Sequence, residues 1–243
     1  MITMGRAYQN RKLSMAKTAS AKTKVYSRYG REIYVCAKAG GADPTANLSL
    51  RGMIERAKKD QVPSHVIDKA LAKATSGVGE NYVPALYEGM APGGVMVLIG
   101  CLTDNGNRTF GDIRGVFTKN KVKVGSQGSV LHMFDHRAMF VFAGETEDEA
   151  LEVLMEADVD VSDIDCEDGM VTVLTPPTEY FKTKTALTEM NPEIDFEVQE
   201  ITYLPQMDHL VSGDDVALFE RFTDMLNELE DVQEIYHNAT FES

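Results

Sequence analysis

The chain lacks the features of a disulfide-bonded or membrane-spanning protein. Tryptophan is absent, and the three cysteines, Cys36, Cys101 and Cys166, lie far apart and form no CxxC pair. This spacing is typical of reduced thiols in the cytoplasm and excludes a disulfide framework. No run approaches the roughly 20 apolar residues that cross a bilayer, and no apolar stretch typical of a secretory signal follows the basic start. We therefore expect a cytoplasmic protein that does not associate with membranes.

Acidic residues are missing from positions 1–31, which carry eight Lys and Arg residues. Residues 1–79 contain 15 basic and 5 acidic side chains, whereas residues 80–243 contain 9 basic and 33 acidic ones. The overall net charge of −14 therefore conceals a basic front and an acidic remainder. Because a phosphate backbone senses charge within about 10 Å at physiological salt, the segregation favours nucleic-acid binding by the front. The alternative is that these charges are only solvated surface.

Motifs that would indicate an enzyme are also missing. The chain has no Gly-x-Ser-x-Gly sequence, no Cys/His pairing and no carboxylate set in a Gly-rich loop. Residues 125–129 lack the Lys-Ser/Thr of a phosphate loop, and His132 and His136 have no third metal ligand nearby. The acids of residues 163–168 lack the Gly-x5-Glu ending of a calcium loop. We predict a protein that is not an enzyme and has no catalytic residues, metal or cofactor.

The pattern of residues 1–79 predicts a mobile arm followed by three helices. Apolar residues recur at threes and fours over residues 19–38, 46–59 and 63–75, and glycines and prolines separate these segments. The polar, basic residues 1–18 have no sustained apolar face and are expected to be disordered until a partner binds. Residues 1–79 are thus predicted to form a basic arm and a three-helix nucleic-acid-binding domain.

From Pro84 onward, alternating apolar residues indicate strands. Residues 80–137 supply three predicted strands, the last at 128–134, and one helix, while residues 206–243 supply one helix, with Leu218 buried, and one strand. Between them, residues 138–205 follow the β-α-β-β-α-β order of a ferredoxin-like domain. One helix and one strand cannot form a core alone, so we predict that 80–137 and 206–243 fold together around an inserted domain. The predicted fold class is α+β: a three-helix N-terminal domain followed by two α/β domains, one inserted in the other.

Five motifs carry a resemblance to a known family. They are Tyr29-Gly-Arg-Glu-Ile33, Ala37-Lys-Ala-Gly-Gly-Ala-Asp-Pro44, Tyr87-Glu-Gly-Met-Ala-Pro-Gly-Gly-Val95, Leu102-Thr-Asp-Asn-Gly-Asn-Arg-Thr109 and Gly128-Ser-Val130. With them the chain resembles, over nearly its whole length, the YebC/PmpR family of bacterial proteins, whose relatives include a mitochondrial translational activator. The start Gly5-Arg-Ala-Tyr-Gln9 and Gly106 in place of an arginine make it most similar to the YeeN-like paralogue group. The resemblance implies a helical first domain, two α/β domains with one inserted in the other, a cytoplasmic location and nucleic-acid-linked regulation.

Two functional classes fit this resemblance. One is DNA-binding transcriptional regulation, the customary family assignment, and the other is a ribosome-associated translation factor that binds ribosomal RNA. No recognition helix of the helix-turn-helix type is evident in the sequence, which favours recognition of shape or backbone over base reading. A protein-binding adaptor that uses the acidic domains is a third class, but it leaves the acid-free arm unexplained.

Ten residues are the candidate nucleic-acid contacts. In the first helix, basic residues alternate with Tyr26 and Tyr29. The rings of these tyrosines could stack on exposed nucleobases or pack the helical bundle. Residues 105–109 open a later helix, where backbone N–H groups with Arg108 suit a phosphate; alternatively, Asn105 caps the helix and Arg108 braces a domain interface. The ten candidates are Arg6, Arg11, Lys12, Lys17, Lys22, Lys24, Arg28, Arg31, Asn107 and Arg108.

Overall fold

The computed structural model describes residues 22–76, 79 and 81–241, and in this part of the chain it has seven α-helices and nine β-strands. The helices are α1 (Lys22–Gly40), α2 (Leu48–Lys59), α3 (Ser64–Thr75), α4 (Gly106–Lys119), α5 (Asp148–Glu156), α6 (Tyr180–Met190) and α7 (Asp214–Asn227). The strands are β1 (Val83–Met90), β2 (Met96–Thr103), β3 (Phe134–Ala143), β4 (Asp163–Glu167), β5 (Met170–Thr175), β6 (Phe196–Pro205), β7 (His209–Val211), β8 (Val232–His237) and β9 (Ala239–Phe241). No helix of the described residues is long and apolar enough to cross a membrane.

Helices α1, α2 and α3 pack around one apolar core. Ile33 of α1, Leu50 of α2 and Ile67 of α3 are all buried there, as expected from their helical spacing. Asn47 fixes the turn between α1 and α2, because its side chain accepts a hydrogen bond from the Leu50 N–H at 3.1 Å and donates to the Cys36 carbonyl at 2.9 Å. The three predicted helices are confirmed over the described residues.

Strands β1, β2 and β8 form an antiparallel sheet with β2 in the centre. Helices α4 and α7 cover one face of this sheet, where the rings of Phe117 and Phe222 meet edge to face with centroids 4.9 Å apart. The short strands β7 and β9 pair in parallel beside it. The last part of the chain therefore completes the core that β1, β2 and α4 begin, and we call this assembly the split unit.

Strands β3 to β6 form a second, antiparallel sheet in the order β4-β5-β3-β6, with α5 and α6 packed against it. The chain order β-α-β-β-α-β with these neighbours is ferredoxin-like. Strands β3 and β6 pair from Phe134 with Pro205 to Phe142 with Phe196. The fold class is α+β, as predicted from the sequence.

One predicted strand, at residues 128–134, is wrong. Gly128 has φ +82°, Leu131–Met133 form a 3-10 turn, and β3 begins only at Phe134. The cause is the Glu88 carboxylate, which accepts the N–H groups of residues 128, 130 and 131 at 2.6, 2.7 and 2.8 Å and so turns the segment. The predicted boundary between residues 137 and 138 lies inside β3.

The face that α7 buries also differs from the prediction. The side chain of Leu218 is 45% exposed, whereas its neighbour Phe219 is buried in the core of the split unit. Both residues fit an apolar helical repeat with Phe222 and Leu226, so the choice depends on how the helix rotates against the sheet.

Candidate nucleic-acid interface

Helix α1 presents three of the candidate cations to the split unit. Lys24, Arg28 and Arg31 are separated by four and three residues, which places them on one face of the helix. The guanidinium of Arg28 donates to the Glu234 carboxylate of β8 and, at 3.4 Å, to Glu32 of its own helix. The basic face of α1 therefore contacts acidic residues of the same chain.

Arg31 makes the most extensive of these contacts. Its guanidinium donates to the Asp231 carboxylate at 2.7 Å, to the Glu230 carboxylate at 3.0 Å and to the Glu230 carbonyl at 2.9 Å. It also lies over the ring of Tyr82, 5.2 Å from the centroid. With its side chain only 13% exposed, Arg31 acts as an ion-pair anchor between the helical domain and the split unit.

Asp231 is the acceptor at the centre of this junction. Besides Arg31, its carboxylate accepts hydrogen bonds from Arg108 and from the Thr109 hydroxyl, each at 2.7 Å. Burial alone would raise the pKa of Asp231, but the hydrogen bonds from Arg108, Thr109 and Arg31 outweigh it and the pKa lies below its ordinary value. The carboxylate is therefore held in its charged form, and two separate segments of the chain are fixed to it.

Lys24 is the least favourably placed of the three cations. Its ammonium donates to the Leu229 carbonyl at 3.2 Å. Burial, followed by the positive charge of Arg28, lowers the pKa of Lys24 to about 8. The side chain is thus partly desolvated beside the turn that leads into β8.

The loop at the start of α4 has the cap and the ion pairs that the second of its two predicted roles requires. Asn105 caps the helix, since its side chain accepts the Arg108 N–H at 3.2 Å. The Arg108 guanidinium donates to Asp231 and, at 2.8 Å, to Asp104, and the hydrogen bond to Asp231 is the main reason why its pKa is raised. Asn107 is exposed in the first turn of α4. Arg108 therefore braces the junction with α1.

A polar cavity of about 480 Å³ adjoins this junction. Five carboxylates and two guanidinium groups are among the side chains at its wall: Asp104, Asp112, Glu228, Glu230, Asp231, Arg31 and Arg108. Because carboxylates outnumber guanidinium groups, a phosphate entering the cavity would meet a net negative charge.

The remaining candidate bases precede this junction in the chain. Arg6, Arg11, Lys12 and Lys17 lie outside the described residues, as do the residues predicted to form a disordered arm. Lys22 begins α1, and its side chain is likewise outside the description. The contact of all ten candidate residues with nucleic acid stays a prediction.

Two other interpretations of the sequence concern aromatic and histidine side chains. Tyr29 is buried and its hydroxyl donates to Asp60, so it packs the helical bundle rather than presenting a ring to nucleic-acid bases. His136 stacks on Tyr203 with centroids 4.4 Å apart, and the His132 ring lies 3.2 Å from the Gly128 carbonyl. Within the described ranges, no group of three or more His, Cys, Asp or Glu side chains has the geometry of a metal site.

Sequence reasoning missed the acidic half of the junction. Glu230, Asp231 and Glu234 follow α7 in the chain, far from α1, and no local pattern distinguishes them from the other acids of the tail. The only signal was the charge segregation itself, since an acid-free helix and an acid-rich tail attract each other.

The fold and the junction together define a three-part α+β protein in which a basic helical domain is ion-paired to a split sheet that carries a ferredoxin-like insertion. Two family models together match nearly the whole chain. The TACO1/YebC protein N-terminal domain matches residues 6–77, and the TACO1/YebC second and third domain matches residues 82–239. The chain belongs to this family, which is the YebC/PmpR family indicated by the sequence motifs.

Relatives extend over the same length. A "probable transcriptional regulatory protein" of Marinobacter nauticus is 65% identical over 236 residues, covering 97% of this chain and 98% of the relative. One of the same name from Alcanivorax borkumensis is 66% identical, covering 97% and 99%. The crystal structure of a conserved hypothetical protein from Aquifex aeolicus superimposes with a TM-score of 0.75 at 31% identity, covering 94% of each chain. Similarity to the YeeN-like group stays a prediction.

Proposed function

We propose that this protein is a cytoplasmic regulator that binds nucleic acid through its basic N-terminal arm, and that it acts as a DNA-binding transcriptional regulator. The observation that carries the proposal is the run of residues 1–31, which has eight bases and no acid ahead of a strongly acidic remainder. The names of the relatives, probable transcriptional regulatory proteins, support a regulatory role rather than an enzymatic one.

The cations of the arm are better candidates for polyanion binding than the cations on the face of α1. Arg28 and Arg31 are already bonded to carboxylates of the split unit, and a phosphate could take Arg31 only by leaving the buried Asp231 with one partner fewer. Removing one partner from a buried ion pair costs about 3–5 kcal/mol. We therefore assign phosphate contacts first to Arg6, Arg11 and their neighbours Lys12, Lys17 and Lys22.

A salt titration tests this assignment. If these five cations neutralise phosphates, they should contribute about −4.5 on duplex DNA and about −3.5 on single strands to the slope of the logarithm of affinity against the logarithm of salt. A variant that lacks residues 1–19 loses four of these bases and should lose about 3.6 of the duplex slope. A full-length variant with the same four bases changed to Gln is the matched control, because it keeps the chain length and removes only charge. Full-strength binding by both variants would contradict the proposal.

The second candidate is a ribosome-associated translation factor that binds ribosomal RNA. One observation favours it: the described cations at 24, 28 and 31 on α1 are directed to the split unit, which prevents this helix from reading a major groove with them. Crosslinking in cells followed by sequencing of the bound nucleic acid separates the two, since promoter DNA supports the first and ribosomal RNA the second. An acidic surface on the later domains leaves room for an additional protein partner in either case.

A further inference from the structure

The split unit has a basic segment of its own that the arm does not explain. Nine basic residues follow position 79, and five of them lie within residues 108–123: Arg108, Arg114, Lys119, Lys121 and Lys123. Asp112 is the only acid between residues 105 and 134. In a region that is otherwise strongly acidic, this local excess of positive charge requires an explanation.

Four of these cations are available to a ligand. Arg114, Lys119, Lys121 and Lys123 are exposed and make no ion pair with another described residue. Arg108, by contrast, is held by Asp104 and Asp231. The four form the outer side and the C-terminal end of α4 and the turn that follows it.

An exposed aromatic ring, Phe110, lies beside the first of these cations, Arg114, and the three lysines follow at the other end of α4. Phe110 is 40% exposed and stacks on Tyr87 of β1 with ring centroids 6.1 Å apart and planes inclined by 28°. The Arg114 guanidinium carbon is 5.8 Å from the centroid of the Phe110 ring. The Tyr87 hydroxyl donates to the Gly106 carbonyl at 3.3 Å, which ties the ring pair to the start of α4. A supported, half-exposed ring beside a guanidinium is suited to stacking of an unpaired base.

The turn that carries Lys121 and Lys123 is held in place against β1. The Val122 N–H donates to the Phe117 carbonyl at 3.0 Å, and the Gly125 N–H donates to the Glu88 carbonyl at 2.7 Å. Gly89 allows this close approach of the turn and of α4, since a Cβ there would lie 3.3 Å from the Lys123 carbonyl oxygen and 2.4 Å from the Phe117 ring. The cations are therefore displayed on a fixed backbone, which lowers the entropy lost when a strand binds.

We propose that Phe110, Arg114, Lys119, Lys121 and Lys123 form a second nucleic-acid contact surface, which binds an unpaired strand. The four cations contact its phosphates, and a base stacks on Phe110. The inference rests on the proposed function and adds to it a second site, selective for unpaired nucleotides, beside the phosphate contacts proposed for the arm. Aromatic rings bind unpaired bases with little sequence preference, because every base has a π face.

The charge half of the test uses variants matched in charge. The double variant Arg114→Gln/Lys121→Gln is compared with the control Arg137→Gln/Arg221→Gln. The control removes the same number of positive charges from side chains outside the proposed surface. Fluorescence anisotropy follows binding of a labelled single-stranded RNA and a labelled duplex DNA over a salt series. The first variant should reduce the steepness of the single-strand salt slope by about 1.4, and the control should leave it unchanged.

The stacking half compares Phe110→Ala with Phe181→Ala, a phenylalanine exposed to a similar extent, 43%, on the inserted domain. Phe110→Ala should weaken binding of the single strand by about 5-fold or more and leave duplex binding within 2-fold, because duplex bases are already stacked on one another. Phe181→Ala should change neither. Circular dichroism of each variant confirms its fold, and the charge variants decide the matter if Phe110→Ala does not fold.

The outcomes separate this inference from the proposed function. If the wild type binds and only the arm truncation weakens it, the arm proposal stands and the second surface is refuted. If the charge variant and its control weaken binding equally, the surface is also refuted, since only overall charge matters. If the wild type binds neither nucleic acid, both proposals fail.

Discussion

Replacing Asp231 with alanine should destabilise the protein through one identifiable group, Arg31. In the wild type the Asp231 carboxylate accepts three hydrogen bonds of 2.7 Å, from Arg31, Arg108 and Thr109. Arg108 is exposed to solvent and keeps its ion pair with Asp104, so the loss of its Asp231 partner costs little free energy. Arg31 is only 13% exposed and, among the residues that the structure describes, would keep Glu230, which is solvent-exposed, as its carboxylate partner. Removing one member of a buried pair costs about 3–5 kcal/mol, and the remaining partner places the expected loss near the lower end, about 3 kcal/mol.

For a chain of this size, about 3 kcal/mol corresponds to a fall in Tm of about 6–12 °C, which thermal unfolding followed by circular dichroism measures. Glu230→Ala is the matched control, because Glu230 pairs with the same Arg31 at 3.0 Å but its side chain is 85% exposed. An exposed pair contributes at most about 1 kcal/mol, so this variant should lose at most about 4 °C. Equal losses in the two variants would refute the argument from burial.

The same variant has a defined pH dependence. The pKa of Asp231 is lowered in the folded protein, so its contribution to stability is complete above the unfolded value of about 3.9 and disappears as pH falls through the lower folded value. The difference in the free energy of unfolding between wild type and Asp231→Ala should therefore be constant from about pH 5 to pH 8. It should decrease towards zero as the pH falls below about 4. A difference that closes near neutral pH would assign the effect to another group.

Three further outcomes are expected. Glu88→Gln should cost about 2 kcal/mol in urea unfolding and speed hydrogen exchange of the loop amides it accepts, because a charged acceptor of three N–H groups becomes neutral. Burial lowers the pKa of Lys24 to about 8, so between about pH 8 and pH 10 the folded state loses its desolvated charge while the unfolded state keeps the proton. Over this range the free energy of unfolding of the wild type should rise relative to that of Lys24→Met. Excising residues 134–205 and joining the ends with a short linker should leave a cooperatively folded protein, since the flanking residues are hydrogen-bonded to each other. Excising 206–243 should instead remove β8 and α7 and cause aggregation, which size-exclusion chromatography detects.

The elements that local periodicity defines could be predicted from the sequence. Ile33 of α1 and Ile67 of α3 belong to the apolar repeats that predicted these two helices, and β5 and β6 are among the strands expected within residues 138–205. The ferredoxin-like order and the pairing of the last helix and strand with the earlier sheet follow because short elements need a shared core. These inferences use neighbours in sequence or simple requirements of burial.

What could not be predicted depends on contacts between distant residues. The segment at 128–134 has the apolar content of a strand, but the Glu88 carboxylate, 40 residues earlier, binds its N–H groups and turns it. Leu218 and Phe219 both continue an apolar repeat, and only packing against the sheet selects Phe219. The partner of Arg28, Glu234, is 206 residues away, and no spacing rule links them.

The acidic tail has two effects on the positive charge of the front, and the structure separates them. As a whole, residues 80–243 carry a net negative charge that would repel a polyanion and favour its approach to the basic segments. Individually, Asp231 and Glu234 neutralise two cations of α1, which become part of the fold. Each phosphate that replaced one of these carboxylates would leave a buried acid with fewer partners, so a strand gains more from unpaired cations. The salt slope on duplex DNA should therefore count the proposed arm, and the slope on single strands should also count the outer side of α4. Arg31→Ala should lower stability and leave both slopes nearly unchanged.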